Sequence, residues 1–191
     1  MKIYLLRHTT LDIDNDIFYG QSDVDVSKDF YKEVKDIKKK INKEGIDFNN
    51  LKVFVSPLKR CVKLADEIFT GYEKDDRLKE LDFGDWEMKN FNQIPELQIK
   101  TWEKNLMNYQ IPNGETNSQF FKRLGSFCDD KIRDSNDTFI VAHAGSINCI
   151  ISYLTGVPFQ KLIKDNWKRI SHGSLSMIEK QKNYKTMYLG K

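Results

Sequence analysis

Three short apolar runs, each broken off by a polar residue of chemical interest, constrain this chain more than anything else in it. Ile3 to Leu6 lead into Arg7-His8, Val53 to Val55 into Ser56-Pro57, and Thr138 to Ala142 into His143. Runs this short and this uniformly apolar suit strands covered on both faces. The segments between them carry helical spacing. Phe30, Val34, Ile37 and Ile41 share one face of a helix expected from about Lys28, with Ser27 as its cap and Gly45 at its end. Ser56-Pro57 reads as a cap and first position of a second helix, with Cys61, Leu64, Ala65 and Ile68 inward. Thr116 opens a third helix through Phe120, Leu124, Phe127 and Cys128, and Ala144-Gly145-Ser146 open a fourth, closed by Gly156 and Pro158. Residues 174–179 and 185–189 read as a terminal hairpin, and 74–113 as irregular chain suited to an active-site lid.

Strands alternating with helices imply an α/β fold, a mainly parallel sheet with helices on both faces, and ligands in such sheets bind beyond the carboxyl ends of the strands. The three polar breaks would therefore meet at one edge. At 191 residues a single domain over the whole chain is the expectation. Hydrophobic residues make up 39% and net charge is only +3, so the chain can build a core but has no broad cationic field for nucleic acid. A small anion needs only a local pocket. Cys61, Cys128 and Cys149 lack metal spacing and read as buried thiols of a reducing compartment, the cytoplasm. The N-terminal apolar run is too short for a signal core or a membrane span. No oligomeric state is assigned.

His8 and His143 are two of three histidines, and both follow buried strands. Arg60 falls in the first turn of its helix, where free N–H groups and the dipole already favour an anion and a guanidinium adds bidentate recognition. Phosphoryl transfer needs neutralised charge, an in-line nucleophile and an acid for the leaving oxygen. Arg7 and Arg60 supply charge, and their field should lower the pKa of His8 so that a neutral, nucleophilic ring persists. Spacing leaves the acid open among Glu80, Glu87 and Glu115. His172, in Ser171-His172-Gly173, reads as a surface turn. No cofactor is called for, and no acidic or histidine cluster has metal spacing.

These residues resemble a family. Leu6-Arg7-His8-Thr9 is similar to the Arg-His-Gly signature of the histidine phosphatase (phosphoglycerate-mutase-like) superfamily, and Tyr19-Gly20-Gln21-Ser22-Asp23 to its following loop. Ser56 to Arg60 resembles its second motif, Leu78 to Glu80 with Phe83 to Glu87 its third, and Val141 to Gly145 its last. The resemblance implies a three-layer α/β/α sandwich with one antiparallel edge strand, and a phosphohistidine formed on His8. It further implies that Arg7, Arg60 and His143 bind the phosphoryl group, that Glu80 is the proton donor, and that Gly20, Gln21 and Thr9 lie on the substrate. Phe83 to Met88 and Ile111 to Glu115 look most like the α-ribazole phosphatases, which act on a small phosphorylated nucleoside in cobalamin assembly. A broad phosphomonoesterase, a mutase and a catalytically silent phosphoryl binder are the competing readings. Thr9 and Ala144 stand where the family carries glycine, and Asp14 near a common asparagine.

Overall fold

A computed structural model of the chain describes all residues except 15, 133–135, 167 and 168, and the side chains of 164–166. Its centre is a six-stranded sheet: β1 (Lys2–Arg7), β2 (Lys52–Val55), β3 (Glu73–Lys74), β4 (Thr138–Ala142), β5 (Leu175–Lys180) and β6 (Tyr184–Tyr188), in the order β3-β2-β4-β1-β5-β6. The pairs β1·β4, β2·β4 and β2·β3 are parallel, whereas β5 runs antiparallel to both β1 and β6. The antiparallel departure is thus confined to the hairpin at one edge.

Pleating explains why β1 is apolar throughout. Ile3 and Leu5 pack with Phe54, Ile140 and Ala142 against one helical layer, while Tyr4 and Leu6 pack with Val55, Phe139 and Val141 against the other. The first layer holds α4 (Asn117–Lys131), α5 (Ala144–Thr155) and α6 (Phe159–Asn166); the second holds α1 (Phe30–Lys43) and α2 (Lys59–Ile68). A further helix, α3 (Glu96–Lys104), and three 3-10 turns lie between β3 and α4.

Two helix starts differ from the sequence reading. Helix α1 begins at Phe30 with Asp29 as its cap, because Ser27 is spent on a preceding turn in which Phe30 N–H donates to its carbonyl at 3.1 Å. Helix α2 begins at Lys59 with Leu58 as its cap, not at Pro57, and the Ser56 hydroxyl instead meets the Nε2 of His143 at 2.8 Å. Thr116 does cap α4, with Gln119 completing a capping box.

Candidate active site

Strand register brings the imidazoles together. Arg7 lies opposite Ala142 across the β1·β4 pair, so the next residue on each strand, His8 and His143, leaves the sheet at the same level; the His8 N–H donates to the Ala142 carbonyl at 3.1 Å. Their ring centroids are 5.2 Å apart. Beyond them opens a cavity of about 660 Å³ whose wall includes Arg7, His8, Gly20, Arg60, Glu80 and His143.

His8 is 1% exposed, and its Nδ1 is 2.8 Å from the Thr9 carbonyl. A carbonyl only accepts, so Nδ1 carries the proton and Nε2 keeps its lone pair. Burial is the largest cause holding its pKa well below the usual histidine value, followed by the charges of Arg60 and Arg7. The ring is neutral at physiological pH, and the arginine field anticipated from sequence is the smaller reason.

Arg60 is wholly buried. Its Nε donates to His143 Nδ1 at 3.2 Å, Nη1 to the Ser22 carbonyl at 2.8 Å and Nη2 to the Gly20 carbonyl at 2.7 Å. A guanidinium cannot accept, so His143 Nδ1 does, and the neutral ring donates from Nε2 to Ser56. Burial first, then Arg60, keeps the His143 pKa well below its ordinary value. Arg7 donates from Nη1 to the Ile170 carbonyl at 2.7 Å and from Nη2 to His172 Nε2 at 2.9 Å, and its Nε is buried without a protein partner. Among the described residues neither arginine has a carboxylate within salt-bridge distance. A buried cation, Arg60, and a half-buried one, Arg7, without a counter-charge are costly unless an anion joins them.

The three glutamates left open by spacing separate here. Glu87 accepts from the N–H groups of Gln21 at 2.8 Å, Ser22 at 2.9 Å and Phe83 at 3.1 Å, and Glu115 pairs with Arg123 at 2.7 Å. Both are structural ties. Glu80 instead reaches the cavity wall, held by Gly145 N–H at 2.8 Å, and burial raises its pKa although backbone donors and both arginines oppose the shift. A cavity-wall carboxyl whose burial strengthens its hold on a proton is suited to general acid catalysis.

Other expected contacts are rearranged. Gly20 lines the cavity, and a Cβ on it would overlap the Leu81 carbonyl, so the close approach of these loops requires glycine. Gln21 is off the wall; its side chain donates to the Glu80 carbonyl at 3.1 Å and so braces the acid. Thr9 is wholly buried, does not line the cavity, and acts on the site through its carbonyl. His172 is no surface turn: it lies on the wall, 5.3 Å from the His8 ring, accepting from Arg7, and burial with Arg7 and Arg60 lowers its pKa to about 4. The antiparallel start of β5 brings it back to the strand ends, which a local reading of Ser-His-Gly misses.

Residues 74–115 form one wall, contributing Glu80, Leu81, Phe83, Phe91, Trp102 and Leu106. They are stitched to the loop after β1: Phe18 N–H donates to the Lys89 carbonyl at 3.0 Å and Met88 N–H to the Phe18 carbonyl at 2.6 Å. Among the described residues no group of three or more His, Cys, Asp or Glu could hold a metal, and no helix is long and apolar enough to cross a membrane.

A mixed sheet that brings two arginines and two neutral imidazoles together at its strand ends, around one cavity, is a framework suited to phosphate esters. Sequence comparison gives the family: the profile of the histidine phosphatase superfamily (branch 1) matches residues 3–189, and the chain belongs to that superfamily of phosphatases and mutases. It is 29% identical over 170 residues, 84% of this chain and 82% of the relative, to a Hydrogenobacter thermophilus protein named "Putative phosphoserine phosphatase 2". Over its full length, and all of the relative, it is 24% identical to the 2,3-bisphosphoglycerate-dependent phosphoglycerate mutase of Streptococcus gordonii. The fold matches the crystal structure of the α-ribazole phosphatase from Shigella flexneri with a TM-score of 0.85 at 21% identity, covering 100% of this chain and 96% of that one.

Proposed function

We propose that this chain hydrolyses phosphomonoesters through a phosphohistidine on His8. Nε2 of His8 attacks phosphorus while Arg7, Arg60 and His143 take up the charge of the phosphoryl oxygens. As the P–O bond to the ester oxygen breaks, its electron pair stays with that oxygen, which receives the Glu80 proton. Water then attacks the phosphohistidine, giving its proton to the Glu80 carboxylate, and the P–N bond breaks to return neutral His8 and free phosphate. The observation that carries this reading is the Nδ1–H tautomer of His8 beside the guanidinium groups of buried Arg60 and half-buried Arg7, neither of which has a carboxylate partner among the described residues.

For the natural substrate we propose α-ribazole 5′-phosphate, a benzimidazole nucleoside ester. Away from the phosphoryl end the cavity is walled by Phe18, Phe83, Phe91, Trp102, Phe120 and Phe159, with Asp14 and Asp16 also on its wall. Among the described wall residues the only arginines are Arg7 and Arg60, and there is no lysine. A phosphoglycerate or phosphoserine carboxylate would meet no second cation there, whereas a flat apolar base has aromatic faces to pack on. Residues 74–115 supply Phe83, Phe91 and Trp102 to this end. The test is kcat/KM on a panel of α-ribazole 5′-phosphate, phosphoserine, 3-phosphoglycerate, glucose 6-phosphate and p-nitrophenyl phosphate. A preference for the first by at least tenfold is expected. Equal rates across the panel would replace this substrate with the broad phosphomonoesterase reading, and phosphate binding without turnover would replace the enzyme with a silent binder.

A further inference from the structure

Two residues on the cavity wall, away from the arginines, carry buried polar groups with no protein partner. Asn148 is 1% exposed, and neither its Oδ1 nor its Nδ2 has a protein partner. Trp102 Nε1 is likewise buried and unpaired. Both residues line the cavity, among Leu106, Phe120, Phe159 and Ile163. Equivalent groups nearby are satisfied. Trp86 Nε1 donates to Gln98 Oε1 at 3.0 Å, and Asn117, also buried on this wall, donates from Nδ2 to the Leu106 carbonyl at 2.8 Å. The fold thus satisfies an indole beside this wall and an amide on it, and leaves those of Trp102 and Asn148 unmade. A buried amide with both ends unmade is costly, and such exceptions call for an explanation.

Position supplies one. Asn148 lies three and four residues after Gly145 and Ala144 on α5, so all three share the helix face that borders the cavity, and Gly145 is the residue that holds Glu80. The amide thus lies one helical turn along α5 from the residue that holds Glu80, on the wall of the same cavity. Its neighbours along the helix, Ile147, Ile150 and Ile151, are core residues, so the amide breaks an apolar run.

We propose that Asn148 and Trp102 form a specificity site that reads a polar edge, bearing at least one hydrogen-bond acceptor and one donor, on an otherwise flat and apolar leaving group. Nδ2 and the indole Nε1 donate to ring nitrogen or oxygen, and Oδ1 accepts from a hydroxyl or ring N–H. The site takes fused heteroaromatic alcohols in preference to hydrocarbon ones of the same shape, because only the former complete the buried groups. A site built to hydrogen-bond its substrate rejects an analogue lacking that group far more strongly than a site built on packing. This deepens the proposed phosphatase reading and rests on it, but it does not depend on ribose or on α-ribazole being the natural compound.

The test uses a matched pair, benzimidazol-4-ylmethyl phosphate and 1-naphthylmethyl phosphate, which share the phosphate and the primary alcohol and differ in the ring edge. Wild type is expected to favour the benzimidazole by at least tenfold in kcat/KM. In Asn148→Leu that ratio should fall to near one, in Trp102→Phe it should fall part of the way, and the melting temperature of Asn148→Leu should equal or exceed that of wild type. Equal rates on the pair in wild type would overturn the proposal, whatever α-ribazole 5′-phosphate does in the substrate panel. So would a ratio that survives Asn148→Leu together with a lowered melting temperature, since the amide would then be a structural, water-held group. If Asn148→Leu does not fold, the wild-type ratio and Trp102→Phe, which removes a single N–H, still decide.

Discussion

Replacing Gly145 with alanine separates the chemistry of Glu80 from the stability of the fold. Gly145 is the second residue of α5, and its N–H holds Glu80 Oε2 at 2.8 Å. A Cβ built there would overlap Glu80 Oε1 and stand 3.0 Å from its carboxyl carbon, with no other atom so close. In a helix, alanine is favoured over glycine by about 1 kcal/mol, whereas forcing a methyl into a packed site costs about 1–3 kcal/mol. The group in the way is the end of a flexible side chain, so it can rotate aside, and the two effects should leave stability within about 1 kcal/mol of wild type. The carboxyl, however, must move by the better part of an ångström. General acid catalysis contributes roughly 10²–10⁴-fold, and a misplacement of about 1 Å can cost on the order of 10²-fold. First-turnover release of an alkyl alcohol from its phosphate should therefore slow by about 10²-fold. Release of p-nitrophenolate, which departs without a proton, should slow by less than about fivefold. Equal slowing on both substrates, or slowing on neither, would refute Glu80 as the proton donor, and a stability loss above about 3 kcal/mol would show Gly145 to be structural.

Three further outcomes are expected. His172→Ala removes the acceptor that holds Arg7 Nη2 at 2.9 Å, so KM for phosphate esters should rise about tenfold with a smaller change in kcat, and His172→Gln should recover part of it; steady-state kinetics that leave KM unchanged would discount this anchor. Gly20→Ala should destabilise by about 1–3 kcal/mol in urea titration, because its Cβ meets the Leu81 carbonyl, which is backbone and cannot rotate away. His8, His143 and His172 all have depressed pKa values, so the unfolded chain binds more protons than the folded one below pH about 6.5. Stability should hold above that pH and fall as pH drops toward about 4, by on the order of 1 kcal/mol per unit and group, offset in part by Glu80, whose raised pKa has the opposite sign. Urea midpoints between pH 8 and pH 4 check this, and a flat profile would contradict the buried neutral state of the rings.

The sequence made the sheet legible because β1, β2 and β4 are buried on both faces and leave no ambiguity of period, and because His8 and His143 leave the sheet at adjacent positions. The capping box at Thr116 was equally plain. Helix α3 was not, since Ile99 is its one buried residue, nor was β3, whose two residues are exposed. Ser56 misled because its residue type suits a helix cap while its hydroxyl serves His143. His172 and Asn148 lay beyond local reading for another reason. His172 gains its place from Arg7, at the other end of the chain, and Asn148 from the cavity wall it shares with Trp102, and only Asn148 left a trace, as a polar break among isoleucines.

The account rests on covalent phosphorylation of one ring nitrogen. Rapid-quench mixing of the enzyme with ³²P-labelled ester, followed by base quench and peptide mapping, measures it directly. The expected result is a burst of protein-bound phosphate, stable in base, released in acid, located on His8 and absent from His8→Ala. Full turnover with no phosphoenzyme at any time, or label on a residue other than His8, would contradict it.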